Sequence, residues 1–256
     1  MSGIRDSGTE ERGDTGIRVA MWSGPRTIST ALMRSWDNRG DTIVSDEPFY
    51  PHYLSATGIA HPRRDEIISR GQTDWRKIVE WLIGPIPEGR RVFYQKHMAH
   101  HLLPGMAGDW LNVLRHGFLI RDPEEMLISL SRVMPEPRLE DTGLPQQLEL
   151  FERMCEATRR MPPVIDARDV LEHPRRLLRR LCESLGVEFS ARMLSWPSGT
   201  RATDGVWAPH WYASVEASTG FKPYRPPVMS LASHLQTLEK ECRTYYDELY
   251  RHRLTS

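Results

Sequence analysis

The sequence predicts an α/β protein, a three-layer α/β/α arrangement around a central, mainly parallel sheet of five strands. Three observations carry that prediction. Five short apolar runs alternate along the chain with segments of helical period, the runs are continuous as in strands buried on both faces, and no hairpin signal such as Asn-Gly joins them. At 256 residues, with 39% hydrophobic and 27% charged content, the chain is long enough to bury a full core without staples or metals.

The elements follow in order. The run Ile17-Arg18-Val19-Ala20-Met21-Trp22 stops at Ser23-Gly24-Pro25, and Ile28, Ala31, Leu32 and Trp36 then recur at helical spacing, which reads as strand, tight loop, helix. Thr42-Ile43-Val44-Ser45 is a second strand that ends at Asp46-Glu47-Pro48, because proline cannot donate to a ladder. A helix over 74–82 precedes a third strand at 92–95. The fourth, at 117–120, leads into a helix over 123–133 that opens on proline. Residues 134–143 mix two prolines with charges and read as an exposed loop or mobile flap. A helix over 144–161, a fifth strand at 164–166 and a helix over 174–185 come next. Residues 196–227, rich in glycine, proline and aromatic rings, read as irregular, and a last helix runs from about 230 to 253. Residues 1–16 hold almost no large apolar side chain, so a disordered tail is expected there, with one domain over 17–256.

Thirty-four Lys and Arg balance 34 Asp and Glu. A neutral chain lacks the broad basic field of a nucleic-acid or membrane-surface binder, although a local basic pocket is compatible with it. Cys155, Cys182 and Cys242 are odd in number and far apart, which fits reduced thiols. With no apolar run of spanning length and no signal-like opening, a cytoplasmic protein is expected.

In open parallel sheets ligands bind beyond the carboxyl ends of the strands, so the residues that follow each strand come first. After the first, Ser23-Gly24-Pro25-Arg26-Thr27-Ile28-Ser29-Thr30 brings backbone N–H groups, hydroxyls and one guanidinium to a helix N-terminus, an anion cradle. The same residues also suit a plain turn whose Ser and Thr cap the helix. The loop lacks the Gly-Lys-Ser/Thr ending and the magnesium partner of a Walker ATPase or GTPase. After the fourth strand, Arg121 and Ser129 stand eight apart, an arginine fork and a hydroxyl suited to one phosphate. The alternative there is that Asp122 caps the helix and pairs with Arg121.

These two motifs together resemble the sulfotransferases that use 3′-phosphoadenosine 5′-phosphosulfate (PAPS), a family with a P-loop NTPase-like fold. Arg26-Thr27-Ile28-Ser29-Thr30 is similar to the family's loop for the 5′-phosphosulfate, with Ile28 where the family has glycine. Arg121 and Ser129 match its Arg and Ser for the 3′-phosphate. Asp169-Val170-Leu171-Glu172-His173-Pro174 and Leu181 to Val187 extend the likeness over most of 17–195. Met21 to Arg26 and Asp46-Glu47-Pro48-Phe49-Tyr50 resemble a subgroup sometimes labelled branched-chain aminotransferase-related, yet no lysine-centred feature supports a transaminase. Gly220-Phe221-Lys222 weakly matches the family's C-terminal basic-glycine segment, so the resemblance implies contacts with PAPS from Gly24, Pro25, Arg26, Thr27, Ile28, Ser29, Thr30, Arg121, Ser129 and Lys222.

The implied activity is sulfuryl transfer from PAPS to a hydroxyl or amine of a small-molecule acceptor, with no metal required and no nucleic-acid or membrane partner. A homodimer is one open assembly. For the base, the resemblance offers Glu47 first, as in bacterial and heparan-type members, and His97 second, similar to the Lys-x-His site of cytosolic members but with the intervening residue missing. Lys96 is the candidate for the bridging oxygen. His97, His100 and His101 also have partial metal spacing, but no cysteine or carboxylate completes a ligand set, and a histidine lining the acceptor pocket is the alternative. Trp207, Trp211, Tyr212, Phe221 and Tyr224 either wall an acceptor cavity or anchor their segment. A nucleotide kinase and a non-catalytic nucleotide-binding protein are the rival readings.

Overall fold

A computed structural model describes residues 16–255, so the expected tail, Gly16 apart, lies outside the described residues. Five strands, β1 (Ile17–Ser23), β2 (Thr42–Asp46), β3 (Val92–Met98), β4 (Arg115–Ile120) and β5 (Val164–Asp166), form one sheet in the order β2-β3-β1-β4-β5. Every neighbouring pair is parallel, with Met21 and Asp46 both in register with Lys96. The chain thus leaves β1 for one edge of the sheet and crosses back over it to the other. Loops from the carboxyl ends of β1, β2, β3 and β4 meet where the order reverses, the usual place for a ligand crevice.

The helices are α1 (Ser29–Asp37), α2 (Tyr50–Thr57), α3 (Arg64–Arg70), α4 (Trp75–Ile83), α5 (Pro123–Leu130), α6 (Leu139–Thr142), α7 (Leu144–Thr158), α8 (Ala167–Glu172), α9 (Pro174–Ser184), α10 (Ala208–Trp211), α11 (Ala213–Glu216) and α12 (Gln236–Arg251). The two-residue period of β1 sorts its side chains between two cores. Val19 and Met21 join Leu32, Trp36, Leu177 and Leu181 of α1 and α9. Ala20 and Trp22 face the opposite way, with Leu82, Leu127, Phe151 and Leu249 of α4, α5, α7 and α12. A third, smaller cluster of Tyr50, Tyr53, Leu54, Ile67, Trp207 and Tyr212 sits apart from both and joins α2 and α3 to the α10 region. Among the described residues no helix is long and apolar enough to cross a membrane.

Two expectations need correction. Residues 134–143 are not a free flap: they contain α6, Thr142 is buried, and its carbonyl lies so close to Gly24 that no side chain fits there. Residues 196–227 hold two one-turn helices, α10 and α11, although the remainder is irregular as expected. Helix ends also differ: α5 stops at Leu130, α7 stops at Thr158 before left-handed Arg159, and α12 starts only at Gln236.

Candidate active site

A cavity of about 690 Å³ opens at the carboxyl edge of the sheet. One side is built by the β1 and β4 loops. Thr27 Oγ1 donates to the Gly24 carbonyl at 2.9 Å and closes the β1 turn, and the Leu32 N–H bonds the Ile28 carbonyl at 3.0 Å to start α1. Arg26 and Ile28 both sit in the left-handed region, at φ 61° and 62°. Ile28 therefore keeps the backbone shape that glycine adopts freely, at a steric cost of about 1–2 kcal/mol for an L side chain. No side chain caps α1, which sets aside the reading of this loop as a Ser/Thr cap. Pro25, Arg26, Thr27, Ile28, Ser29 and Thr30 line the cavity, whereas Gly24 lies behind the wall against Thr142. Gln147, oriented with its amide oxygen toward the Gly24 N–H (3.1 Å) and its nitrogen toward the Leu119 carbonyl (3.2 Å), holds that wall.

Arg26 ties the two loops together. Its Nε donates to Ser129 Oγ at 2.9 Å, and its carbonyl accepts from Arg121 Nη1 at 2.8 Å. Arg121 and Ser129 thus meet through Arg26, and both line the cavity. Arg121 pairs with Glu125 at 3.1 Å, while Asp122 caps α5 and pairs with Arg243, so the Asp122–Arg121 pairing does not form. Burial, then the like charges of Arg121 and Arg132, lower the Arg26 pKa. This is a cation cluster short of anions. Lys222 and Arg225 stand exposed at the rim.

The other side is built by the β2 and β3 loops. Lys96 Nζ donates to Asp46 Oδ1 (2.8 Å), Glu47 Oε1 (2.5 Å) and Tyr212 Oη (2.9 Å), which uses all three of its hydrogens. The Tyr212 hydroxyl also reaches Asp46 and accepts from Trp207 Nε1 at 3.1 Å. Burial opposes the Lys96 ammonium, but Asp46, Glu47 and Tyr212 outweigh it and hold its pKa well above the ordinary lysine value. Burial pushes the Glu47 carboxyl up against the pull of Lys96, with Asp46 adding to the rise. Glu47 is a further left-handed residue, at φ 47°.

His97 does not reach the cavity. Adjacent residues of a strand face opposite sides, so with Lys96 turned into the site His97 points into the core, stacked on Trp22 at 4.4 Å between centroids. Burial, His116 and Lys96 drive its pKa down to about 3, which leaves a neutral ring. His100 and His101 do line the cavity, and among the described residues no group of three His, Cys, Asp or Glu side chains is arranged to hold a metal. Trp207 and Tyr212 are buried as anchors and also line the cavity, as do Trp211 and Phe221; Tyr224 instead bonds Glu125 at 2.5 Å. Asp46, Tyr50, Tyr53, His61 and Asp141 were not foreseen as parts of the site or its support.

The sheet order and the arginine-lined crevice define a parallel α/β protein with an anion-binding crevice where its strand order reverses. The chain belongs to the sulfotransferase domain family, whose model matches residues 17–248. It is 38% identical over 229 residues to branched-chain-amino-acid aminotransferase-like protein 1 of Arabidopsis thaliana, covering 89% of this chain and 40% of that protein. It is 35% identical over 237 residues to the corresponding protein 2 of the same plant, covering 91% and 41%. The chain therefore spans about two fifths of the length of these relatives. Its fold is shared with the sulfotransferase domain of the Synechococcus PCC 7002 olefin synthase (TM-score 0.53, 17% identity, 90% of this chain and 96% of that one). The sulfotransferase of Alicyclobacillus acidocaldarius is similar in the same way (TM-score 0.53, 12% identity, 93% and 97%).

Proposed function

We propose that this chain transfers a sulfuryl group from PAPS to a hydroxyl or amine of a small-molecule acceptor. The observation that carries the reading is the pair Arg26 and Arg121, joined by a direct hydrogen bond, open to the cavity and met by the one carboxylate of Glu125. A donor with a 5′-phosphosulfate and a 3′-phosphate supplies the missing negative charge. The Arg26 to Thr30 loop fits the phosphosulfate, Arg121 and Ser129 the 3′-phosphate, and Lys222 the rim.

In this mechanism the acceptor oxygen forms a new S–O bond as the S–O bond to the 5′-phosphate breaks. The electron pair of the broken bond stays on the phosphate, and the acceptor proton passes to Glu47. Arg26 and the α1 amides stabilise the charge that grows on the leaving phosphate. Lys96, with its hydrogens already engaged, holds Glu47 in place rather than serving the bridging oxygen.

Calorimetry with 3′-phosphoadenosine 5′-phosphate, 5′-AMP and ATP tests the donor site. Arg121→Ala is expected to weaken the bisphosphate by about 1.5–3 kcal/mol, the worth of a charged hydrogen bond, while sparing 5′-AMP. Equal weakening of both ligands contradicts the assignment, and tighter binding of ATP with magnesium favours a kinase. Sulfate transfer from labelled PAPS across an acceptor panel then separates an enzyme from a nucleotide-binding protein.

A further inference from the structure

The two sides of the cavity carry opposite charge. The β1/β4 side presents Arg26 and Arg121, with Lys222 and Arg225 at its rim. On the β2/β3 side the one lysine, Lys96, is over-compensated by Asp46 and Glu47. Asp141 of α6, close enough to Tyr53 to act on its charge, adds a further carboxylate to the cavity wall, half-exposed and bonded to the Arg138 backbone N–H at 2.8 Å.

The histidines on this side do not restore positive charge. Burial lowers the pKa of His61, takes His100 down to about 4 and holds His101 well below the ordinary value. Neutral imidazoles keep a free lone pair. Nδ1 of His100 and Nδ1 of the almost fully buried His101 have no protein partner. These nitrogens are closed off from solvent in the ligand-free cavity, so a hydrogen-bond donor reaches them only as the rings turn toward it, a turn that their lack of a partner favours. Tyr50, Tyr53, Trp207 and Trp211 supply aromatic surface around these histidines.

We infer that the β2/β3 compartment selects a flat, aromatic acceptor that carries an ammonium group as well as its reacting hydroxyl, and discriminates against anionic acceptors. This rests on the sulfuryl-transfer reading and deepens it. An ammonium group only donates hydrogen bonds, so it suits unpartnered imidazole nitrogens and carboxylates alike, and aromatic faces attract it further. A carboxylate on the acceptor would meet Glu47 and Asp141 with no unengaged cation on this side. The same separation keeps the polyanionic donor out of the acceptor half, a selection made by repulsion as much as by fit.

The test uses four probes: tyramine, p-cresol, 4-hydroxyphenylacetate and the saturated amino alcohol 5-aminopentan-1-ol. Binding to the full chain is measured by calorimetry, alone and saturated with 3′-phosphoadenosine 5′-phosphate. Tyramine is expected to bind tightest, at least about fivefold better than the acid and than the saturated amine. Asp141→Asn, which keeps the bond to the Arg138 N–H, is expected to weaken tyramine about threefold and leave p-cresol unchanged. An acid that binds as well as tyramine, a charge order indifferent to Asp141→Asn, or no binding by any probe overturns the inference. If the nucleotide fails to bind while the probe order holds, the donor reading falls and the acceptor inference stands.

Discussion

Glu47→Gln keeps the length of the side chain and an oxygen for Lys96 but cannot take a proton. Turnover is expected to fall by about 100-fold or more, with nucleotide affinity nearly unchanged; wild-type turnover would remove Glu47 from the role of base. In the wild type the base works only when ionised, and burial raises its pKa. The rate should therefore rise with pH through a midpoint above the usual carboxylate range, a limb that Glu47→Gln abolishes. At this scale the sequence was half legible. Strand parity alone excludes that adjacent Lys96 and His97 both face one site, so the missing residue between lysine and histidine was a readable signal. Nothing local announces that Lys96 meets Asp46 and Tyr212, because those partners lie 50 and 116 positions away.

Among elements, the strand-loop-helix unit at β1 was read from its apolar run and small loop residues, but the reason for Gly24 was not. Its role is to admit the Thr142 carbonyl of α6. Gly24→Ala is expected to destabilise the protein by about 1–3 kcal/mol in urea unfolding, the usual cost of overpacking. The α2 helix is absent from the sequence reading, which stopped at Pro48 as the end of β2; Pro51 occupies the first turn of α2, where its missing N–H costs nothing. At the β5–α8 junction, Asp166 caps α8 and accepts from Tyr246, and burial raises its pKa to about 6. The native state holds this proton more tightly than the unfolded chain does. The resulting stabilisation is present below about pH 4 and is lost as pH rises through 6. Asp166→Asn keeps the cap and cannot ionise, so its unfolding free energy should gain about 2–3 kcal/mol on the wild type between pH 4 and pH 8.

Across the whole molecule, the neutral total of 34 basic and 34 acidic residues hides a dipolar cavity, with arginines at the β1 and β4 ends and, across from them, the carboxylate of Glu47 at the β2 end beside the neutral histidines that follow β3. Composition excludes a uniformly charged surface and is silent about such a division, which the order of the sheet creates by sending successive loops to opposite sides of β1. The left-handed residues follow the same map. Of six non-glycine residues with positive φ among those described, Arg26, Ile28 and Glu47 stand on the cavity. Arg26→Gly would relieve both the backbone and the repulsion from Arg121 and Arg132, gains that outweigh the lost bond to Ser129 Oγ, so the ligand-free protein should melt higher, by about 0.5 kcal/mol of stability, while losing the bisphosphate. A glycine scan read only as melting temperature, with no substrate in the tube, would then trace part of the outline of the site, because backbone strain is held there by residues whose side chains the site uses.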